Sequence, residues 1–354
     1  MLEYLEPEEW MAGGIHTLKG LYDHFGIIPE PLEPVVKGYP LRISSHFLRL
    51  INHIEDPLGR QVIPSLQELE RSLGEEDPLM EEAFSPIPNL THRYPDRVLL
   101  LVSEQCASFC RFCNRRRKVG KGGVVTEETV KRGLEYIREN RSIREVLLSG
   151  GDPLLLKDRA ISRILEALRA IPHVEVIRIG TRVPVFLPQR ITHELVDILR
   201  QHHPLFMNIH FNHPGEISEE TERAVSLLAD AGIPLGSQTV LLRGVNDRPE
   251  ILKGLFLNLL RLRVRPYYLF QADLVSGTSH FWTHPLRGLE IFRQLWGKIS
   301  SLAIPHFAID LPQGGGKVPV IPSFIREVTG DGISFENFEG KKVVIKNLWR
   351  TEPW

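Results

Sequence analysis

The chain has 354 residues, is 42% hydrophobic, and balances 43 basic against 44 acidic side chains for a formal net charge of -1. This is enough apolar material to bury a full core in one large α/β domain or two ordinary ones, and the balanced charge supplies no long-range field to attract nucleic acid or an anionic membrane. The opening MLEYLEPEEW is acidic where a secretory signal would be basic and then apolar, and no charge-free run is long enough to cross a bilayer, so neither export nor insertion is expected.

Residues 1–90 are rich in Pro, Glu and Leu and include stretches such as SLQELERSL, which predict a helical N-terminal region. From 91 to 280 short β-rich runs alternate with amphipathic helical stretches, the pattern of repeated βα units around a parallel sheet. The candidate strands are RVLLLVS, EVLLSGG, EVIRIGT, LFMNIHF, PLGSQTVLL and VRPYYLFQAD, starting at Arg97, Glu145, Glu175, Leu205, Pro234 and Val264. Between them Val130, Leu134 and Ile137 share one helical face, as do Ile161, Ile164, Leu165 and Leu168. Thr126 and Ser218 read as N-caps, Pro249 as a first helical residue and Gly232 as a helix stop. Six such units predict an incomplete α/β barrel, a partial (β/α)6 barrel open on one side. Residues 281–354 read as a C-terminal region with a helix near Leu289–Ala303, a glycine-rich turn and a hairpin around Glu339-Gly340.

All three cysteines, Cys106, Cys110 and Cys113, fall within CASFCRFC, on the loop after the first strand, where barrel active sites are built. Such a cluster is a poor disulfide framework and fits a reducing, cytoplasmic setting. Thiolates at Cys-x3-Cys-x2-Cys spacing suit an iron-sulfur cluster, and with four irons to three thiolates one iron stays open to a small molecule. A zinc site completed by a histidine such as His92 is the competing reading. At the end of the second strand, SGGDP (Ser149, Gly150, Gly151, Asp152, Pro153) places a glycine pair that alone signifies only a tight turn.

DLPQGGGK sets Lys317 behind three glycines that let backbone approach a ligand closely. It is not a phosphate-binding P-loop, because no Ser or Thr follows the lysine and the first glycine of that motif is missing. A pocket lysine can hold pyridoxal phosphate as a Schiff base, whereas in isolation an exposed loop lysine is the simpler reading. THRYPDRV carries Arg93 and Arg97, placed to clamp a phosphate, with Tyr94 beside them to sit against a pyridine ring. Read alone, RYPDR is a surface turn with a charge pair.

Taken in order, LTHRYPDRVLLLVSEQCASFCRFCNRRR, LLSGGDPL, NIHFNHPGEI, QTVLLRGVND, RVRPYYLFQADL and the GGGK segment resemble the lysine 2,3-aminomutase family of radical S-adenosylmethionine enzymes, from about Pro78 to Pro319. The resemblance implies a 4Fe-4S cluster on Cys106, Cys110 and Cys113, and S-adenosylmethionine contacted by Ser149, Gly150, Gly151, Asp152, His210 and Gln238. It also implies pyridoxal 5'-phosphate held by Lys317, with Arg93, Tyr94 and Arg97 around its phosphate and ring. The substrate carboxylate falls to Arg115, and the distal ammonium of lysine to Asp273 and Asp310, where relatives acting on glutamate carry a lysine and an asparagine. The activity it implies is transfer of the amino group of a basic amino acid from C2 to C3. The expected partners are a small amino acid and an electron donor such as a flavodoxin or ferredoxin, with a homo-oligomer possible. A radical enzyme lacking pyridoxal phosphate, and a zinc or nucleic-acid-binding module around the arginine run CNRRR, are the alternatives.

The chain departs from longer members in three places. Arg248 follows Asn246-Asp247 where they carry a zinc-binding cysteine, and no cysteine is left for such a site, so no structural zinc is expected. Phe270 replaces a tyrosine near the cofactor. Gln313 replaces one glycine of a four-glycine run.

Overall fold

The computed structural model describes residues 2–120, 122, 123, 125–329 and 332–346. Its main sheet has nine strands in sequence order. The edge strand β1 (Leu90–Tyr94) pairs antiparallel with β2 (Arg97–Ser103). Six further strands then run parallel to β2, namely β3 (Glu145–Gly150), β4 (Val176–Thr181), β5 (Leu205–His210), β6 (Leu235–Leu241), β7 (Val264–Gln271) and β8 (His306–Leu311). The last strand of this sheet, β9 (Gly316–Pro319), turns back antiparallel on β8.

Helices at Glu127–Glu139, Asp158–Arg169, His193–Arg200, Glu219–Asp230, Pro249–Arg261 and Pro285–Leu295 lie in the crossovers between the parallel strands. Their starts follow from local chemistry. The Thr126 and Ser218 hydroxyls accept from the N–H groups of Thr129 and Thr221, and Pro249 fills a first position where its missing N–H costs nothing. Apolar stripes such as Ile161, Ile164, Leu165 and Leu168, or Leu252, Leu255, Phe256 and Leu259, are buried against the sheet, each side chain contributing about 1.5–3 kcal/mol.

Burial alternates along the strands, as a period of two requires. On β4 the helix-facing Ile177 and Ile179 are buried, while Arg178 and Gly180 on the opposite face are only half-buried. On β6, Gly236, Gln238 and Val240 likewise occupy the less buried face. On these strands the face turned to the helices is therefore better buried than the face turned to the barrel axis.

Three features differ from the sequence-based expectation. The barrel gains a seventh parallel strand, β8, and the predicted opening is nearly shut: the Lys317 N–H on β9 donates to the Tyr94 hydroxyl on β1 at 3.0 Å, and the Gln313 N–H to the Pro78 carbonyl at 3.0 Å. The helix predicted through Ala303 stops at Leu295, where Gly297 adopts φ +76, and resumes only as a turn at Ser301–Ala303. The hairpin at Glu339-Gly340 joins β11 (Gly332–Glu336) to β12 (Lys342–Lys346), but β10 (Ile325–Thr329) makes it a three-stranded sheet; Asn347 and Leu348, the end of the predicted segment, lie outside the described residues.

The N-terminal region consists of short helices that pack on the barrel, with Phe47 edge-on to Phe186 at 4.8 Å. Within SLQELERSL only Leu66–Leu69 is helical, because Ser65 caps the turn and Glu68 points inward to bind arginine. Among the described residues no helix is long and apolar enough to cross a membrane.

Candidate active site

β2 delivers the chain to the cysteine loop at the C-terminal end of the parallel strands, where Cys106, Cys110 and Cys113 stand half-buried and unbridged. Burial pushes the Cys106 thiol well up, and Asp152, Cys113 and Cys110 add to it, so the three sulfurs lie within one another's field. Three adjacent thiolates partly withdrawn from water are costly without a compensating cation, and the iron core of an iron-sulfur cluster is such a cation, so the donor set fits one. No group of three His, Cys, Asp or Glu side chains among the described residues converges as the ligands of a single ion do. His92 is instead paired with the Tyr136 hydroxyl at 2.9 Å.

The loop is clamped from the N-terminal region. The N–H groups of Phe109 and Arg111 donate to the carbonyls of Arg42 and Gln61 at 2.9 and 2.8 Å. Beneath it Arg111 and Arg116 both bind the Glu68 carboxylate at 2.7 Å, with Tyr39 against both guanidinium groups at 4.6 Å. The glycine pair seals the other side: a Cβ on Gly150 (φ +128) would fall 2.0 Å from the Ser103 carbonyl oxygen, and one on Gly151 2.3 Å from that of Gln105. Only glycine lets β3 close on the loop this tightly. Asp152 accepts from Thr181 Oγ1 and from the N–H groups of Leu154, Arg182 and Val183, and burial raises its carboxyl to about 6. Its oxygens are thus filled by protein donors, and its contribution to any ligand is one of position.

Strand register places the other candidates on one face. Ser149 pairs with Leu101, Leu147 with Arg178, Asn208 with Gly180, and His210 with Gln238, which in turn pairs with Tyr268. Parallel partners share a face, so Ser149, His210 and Gln238 line the inner wall together with Arg178, Tyr268 and Phe270. The His210 Nε2 contacts Asn212 Oδ1 at 3.0 Å, and burial, reinforced by Arg182, drops its pKa to about 3, so the imidazole is neutral.

Asp310 on β8 and Lys317 on β9 are cross-strand partners on that wall. The Lys317 ammonium lies 4.5 and 4.3 Å from the Tyr268 and Phe270 ring centres, and no hydrogen bond or ion pair holds it among the described residues. Burial lowers its pKa, against the pull of Asp310. Asp273, just past β7, is pushed to about 7 by burial and then by the charge of Asp310, while accepting from Asn114 Nδ2 at 2.9 Å. Arg97 lies over the Tyr94 ring at 4.1 Å, and Arg93 over Phe84 at 4.6 Å, with its Nη2 on the Leu79 carbonyl and its Nε buried without a partner. A nearly unencumbered lysine over two aromatic rings, with Tyr94 at its backbone and an orphaned arginine donor nearby, fits a phosphorylated aromatic aldehyde.

Residues 100–253 match the radical SAM superfamily model and residues 292–348 the lysine-2,3-aminomutase model. The chain is 47% identical to an L-lysine 2,3-aminomutase of Clostridium subterminale over 92% of this chain and 80% of that one, and 45% identical to that of Acetoanaerobium sticklandii over 95% and 84%. The glutamate 2,3-aminomutase of Clostridioides difficile is 42% identical over 90% and 76%. The chain belongs to the lysine 2,3-aminomutase family. Its members are isomerases of the radical S-adenosylmethionine superfamily, for which that cofactor and a 4Fe-4S cluster are inherent.

Within this aminomutase chain the carboxylates around the arginine run escape sequence reading. Arg115 is already engaged: its Nε and Nη2 both reach Glu81 Oε1, at 2.8 and 2.7 Å, leaving the remaining N–H groups for a ligand. Burial alone would raise the Glu81 carboxyl, but Arg115 and Arg117 outweigh it and hold it at about 2. Arg117 also binds Asp77 and Glu82, and Lys118 binds Glu82, so the arginine run is neutralised by carboxylates and is no free basic patch. The signal was present: the acidic EEDPLMEE from Glu75 to Glu82 complements the basic run from Arg115 to Lys118. Gln313, at a family glycine position, adopts φ +55, the left-handed conformation that favours glycine. Arg248, at the family's zinc-cysteine position, is exposed beside Glu250 at 3.6 Å.

Proposed function

We propose that this aminomutase moves the α-amino group of L-lysine, or of a close basic analogue, from C2 to C3, using a 4Fe-4S cluster on Cys106, Cys110 and Cys113, S-adenosylmethionine and pyridoxal phosphate. The observation that carries the reading is the convergence of Asp273 and Asp310 opposite Lys317 in one barrel lumen with the cysteine loop at its rim. Two carboxylates gathered where burial lifts one of them to about 7 call for a cation, and a lysine ε-ammonium is one of the right reach. A glutamate side chain would meet two like charges there.

The cluster and S-adenosylmethionine supply a carbon radical able to take hydrogen from an unactivated C–H bond, and pyridoxal phosphate supplies a conjugated ring over which an unpaired electron spreads. The protein's own part is placement and exclusion of water. Lys317 would hold pyridoxal phosphate, and its depressed pKa eases loss of the ammonium proton, which frees the amine. Arg93 and Arg97 take the phosphate and Tyr94 the ring. Arg115, oriented by Glu81, binds the α-carboxylate with its free N–H groups. Ser149, Gly150, Gly151, Asp152, His210 and Gln238 line the S-adenosylmethionine site between the loop and the inner wall, with neutral His210 adding no charge against the sulfonium. The chain would work in a reducing cytoplasm with a flavodoxin or ferredoxin as electron donor, without structural zinc, singly or as a homo-oligomer.

Anaerobic reconstitution tests this directly. The protein should hold about four irons and one pyridoxal phosphate without stoichiometric zinc, and with reductant and S-adenosylmethionine should convert lysine to β-lysine. Preference for glutamate or alanine over a basic amino acid, or the absence of any amino shift, would sink it.

A further inference from the structure

The Arg182 guanidinium donates directly to a cysteine sulfur. Arg182 follows β4, its backbone N–H held by Asp152 Oδ2 at 2.7 Å, and its guanidinium is buried between Phe186 and Phe112, 4.3 and 5.5 Å from their ring centres. From there Nη1 donates to Cys110 Sγ at 2.9 Å, and Nη2 donates to Gln61 Oε1 at 2.6 Å and to Glu216 Oε1 at 3.1 Å. Glu216 is fully buried, and burial raises its pKa, but it receives donors on both oxygens, from Gln61 Nε2 at 2.8 Å and from the Asn212 N–H at 3.0 Å, the pattern of an ionised carboxylate. Asn212 Oδ1 then reaches His210. The result is a buried chain running from one cysteine sulfur through a cation to an anion.

We propose that Arg182 and Glu216 set the reduction potential of the cluster through Cys110, Arg182 raising it and Glu216 restraining that rise. The inference rests on the reading that Cys110 is a cluster ligand. One-electron reduction of a cluster adds negative charge that is shared with its thiolate sulfurs. A guanidinium donating to one of those sulfurs stabilises the reduced form more than the oxidised one, and hydrogen bonds to sulfur and local charge are the levers by which proteins tune such centres. Glu216 acts in the opposite sense, from one step further away. Both groups are out of water, so solvent screens their effect little.

The test is a potentiometric titration of the reconstituted cluster, without S-adenosylmethionine or substrate, followed by the electron paramagnetic resonance of the reduced form. R182Q should shift the midpoint to more negative potential, R182K should shift it less because the charge remains, and E216Q should shift it to more positive potential. Opposite signs are what a merely structural role would not produce. Unchanged potentials, or shifts of one sign in R182Q and E216Q, overturn the inference; if R182Q fails to hold a cluster, the sign in E216Q decides. A wild-type protein that assembles no four-iron cluster would instead overturn the ligand reading on which this depends.

Discussion

Asp310 and Lys317 face each other across the β8–β9 hairpin, and the same hairpin sets the Lys317 backbone N–H on the Tyr94 hydroxyl. One register thus fixes three things: the lysine's height on the wall, its distance from the carboxylate that opposes its loss of charge, and the closure of the barrel between its first and last strands. A shift of one residue would turn Lys317 to the other face.

From this placement Lys317→Ala should abolish the absorbance of lysine-bound pyridoxal phosphate and all turnover while leaving the iron content unchanged, because the lysine sits on β9 and the cysteines on the loop after β2. Absorbance and iron analysis of the same preparation check it. A persisting cofactor band would move the anchoring lysine elsewhere.

Among the described residues Glu68 is the one carboxylate that binds both Arg111 and Arg116, and Glu68 and Arg111 are each 1% exposed. Burial would raise the Glu68 carboxyl, but the two arginines more than reverse this, and its pKa falls below the ordinary value. Glu68→Gln leaves two buried guanidinium groups short of charge, at a cost of about 3–5 kcal/mol. Chemical denaturation should register that loss, and the loosened loop should retain less iron after desalting. A variant as stable as the parent would show that the loop is held by other contacts.

Much of this was legible in the sequence, and what was not has physical reasons. The six runs starting at Arg97, Glu145, Glu175, Leu205, Pro234 and Val264 all became strands, because apolar β-branched runs between capped helices leave few alternatives. β9 was not legible, since two of its neighbours are glycines and glycine disfavours strands; pairing with β8 overrides that propensity. Glu68 looks like a solvated helix residue within SLQELERSL, and only the fold reveals the two arginines that draw it inside. Arg182 lies 72 residues from the cysteine it touches, a contact no local pattern encodes.

Asp273 gives a pH signature. In the unfolded chain its carboxyl loses its proton near the ordinary aspartate value of 3.8, whereas in the folded protein burial, with Asp310 adding, delays this to about 7. Between those limits the folded state binds more protons, so this group lowers stability as pH rises through the window. Asp273→Asn removes the effect. The variant should match the parent near the bottom of the window and exceed it above pH 7 by up to about 4 kcal/mol, at about 1.4 kcal/mol per pKa unit. Urea unfolding across the range checks the sign, and an advantage that does not grow with pH would refute the assignment.

The last prediction separates the two aspartates in substrate recognition. Asp310 stands across from Lys317 on the hairpin, whereas Asp273, just past β7, already accepts a hydrogen bond from Asn114. A lysine ε-ammonium placed between them gains a charge-assisted hydrogen bond from each, of about 1.5–3 kcal/mol. Asp310→Asn should therefore raise KM for lysine about tenfold to a hundredfold, with a smaller change in kcat, because the contact lies remote from C2 and C3 and is made equally in ground and transition states. Asp273→Asn should raise KM as well and also flatten its dependence on pH near 7, since the ionisation that substrate binding requires is gone. An analogue of lysine lacking the distal amino group should bind the parent weakly and be indifferent to either substitution. Steady-state kinetics with lysine and that analogue decide the matter: unchanged KM for lysine in both variants would mean that the ammonium is held elsewhere in the barrel.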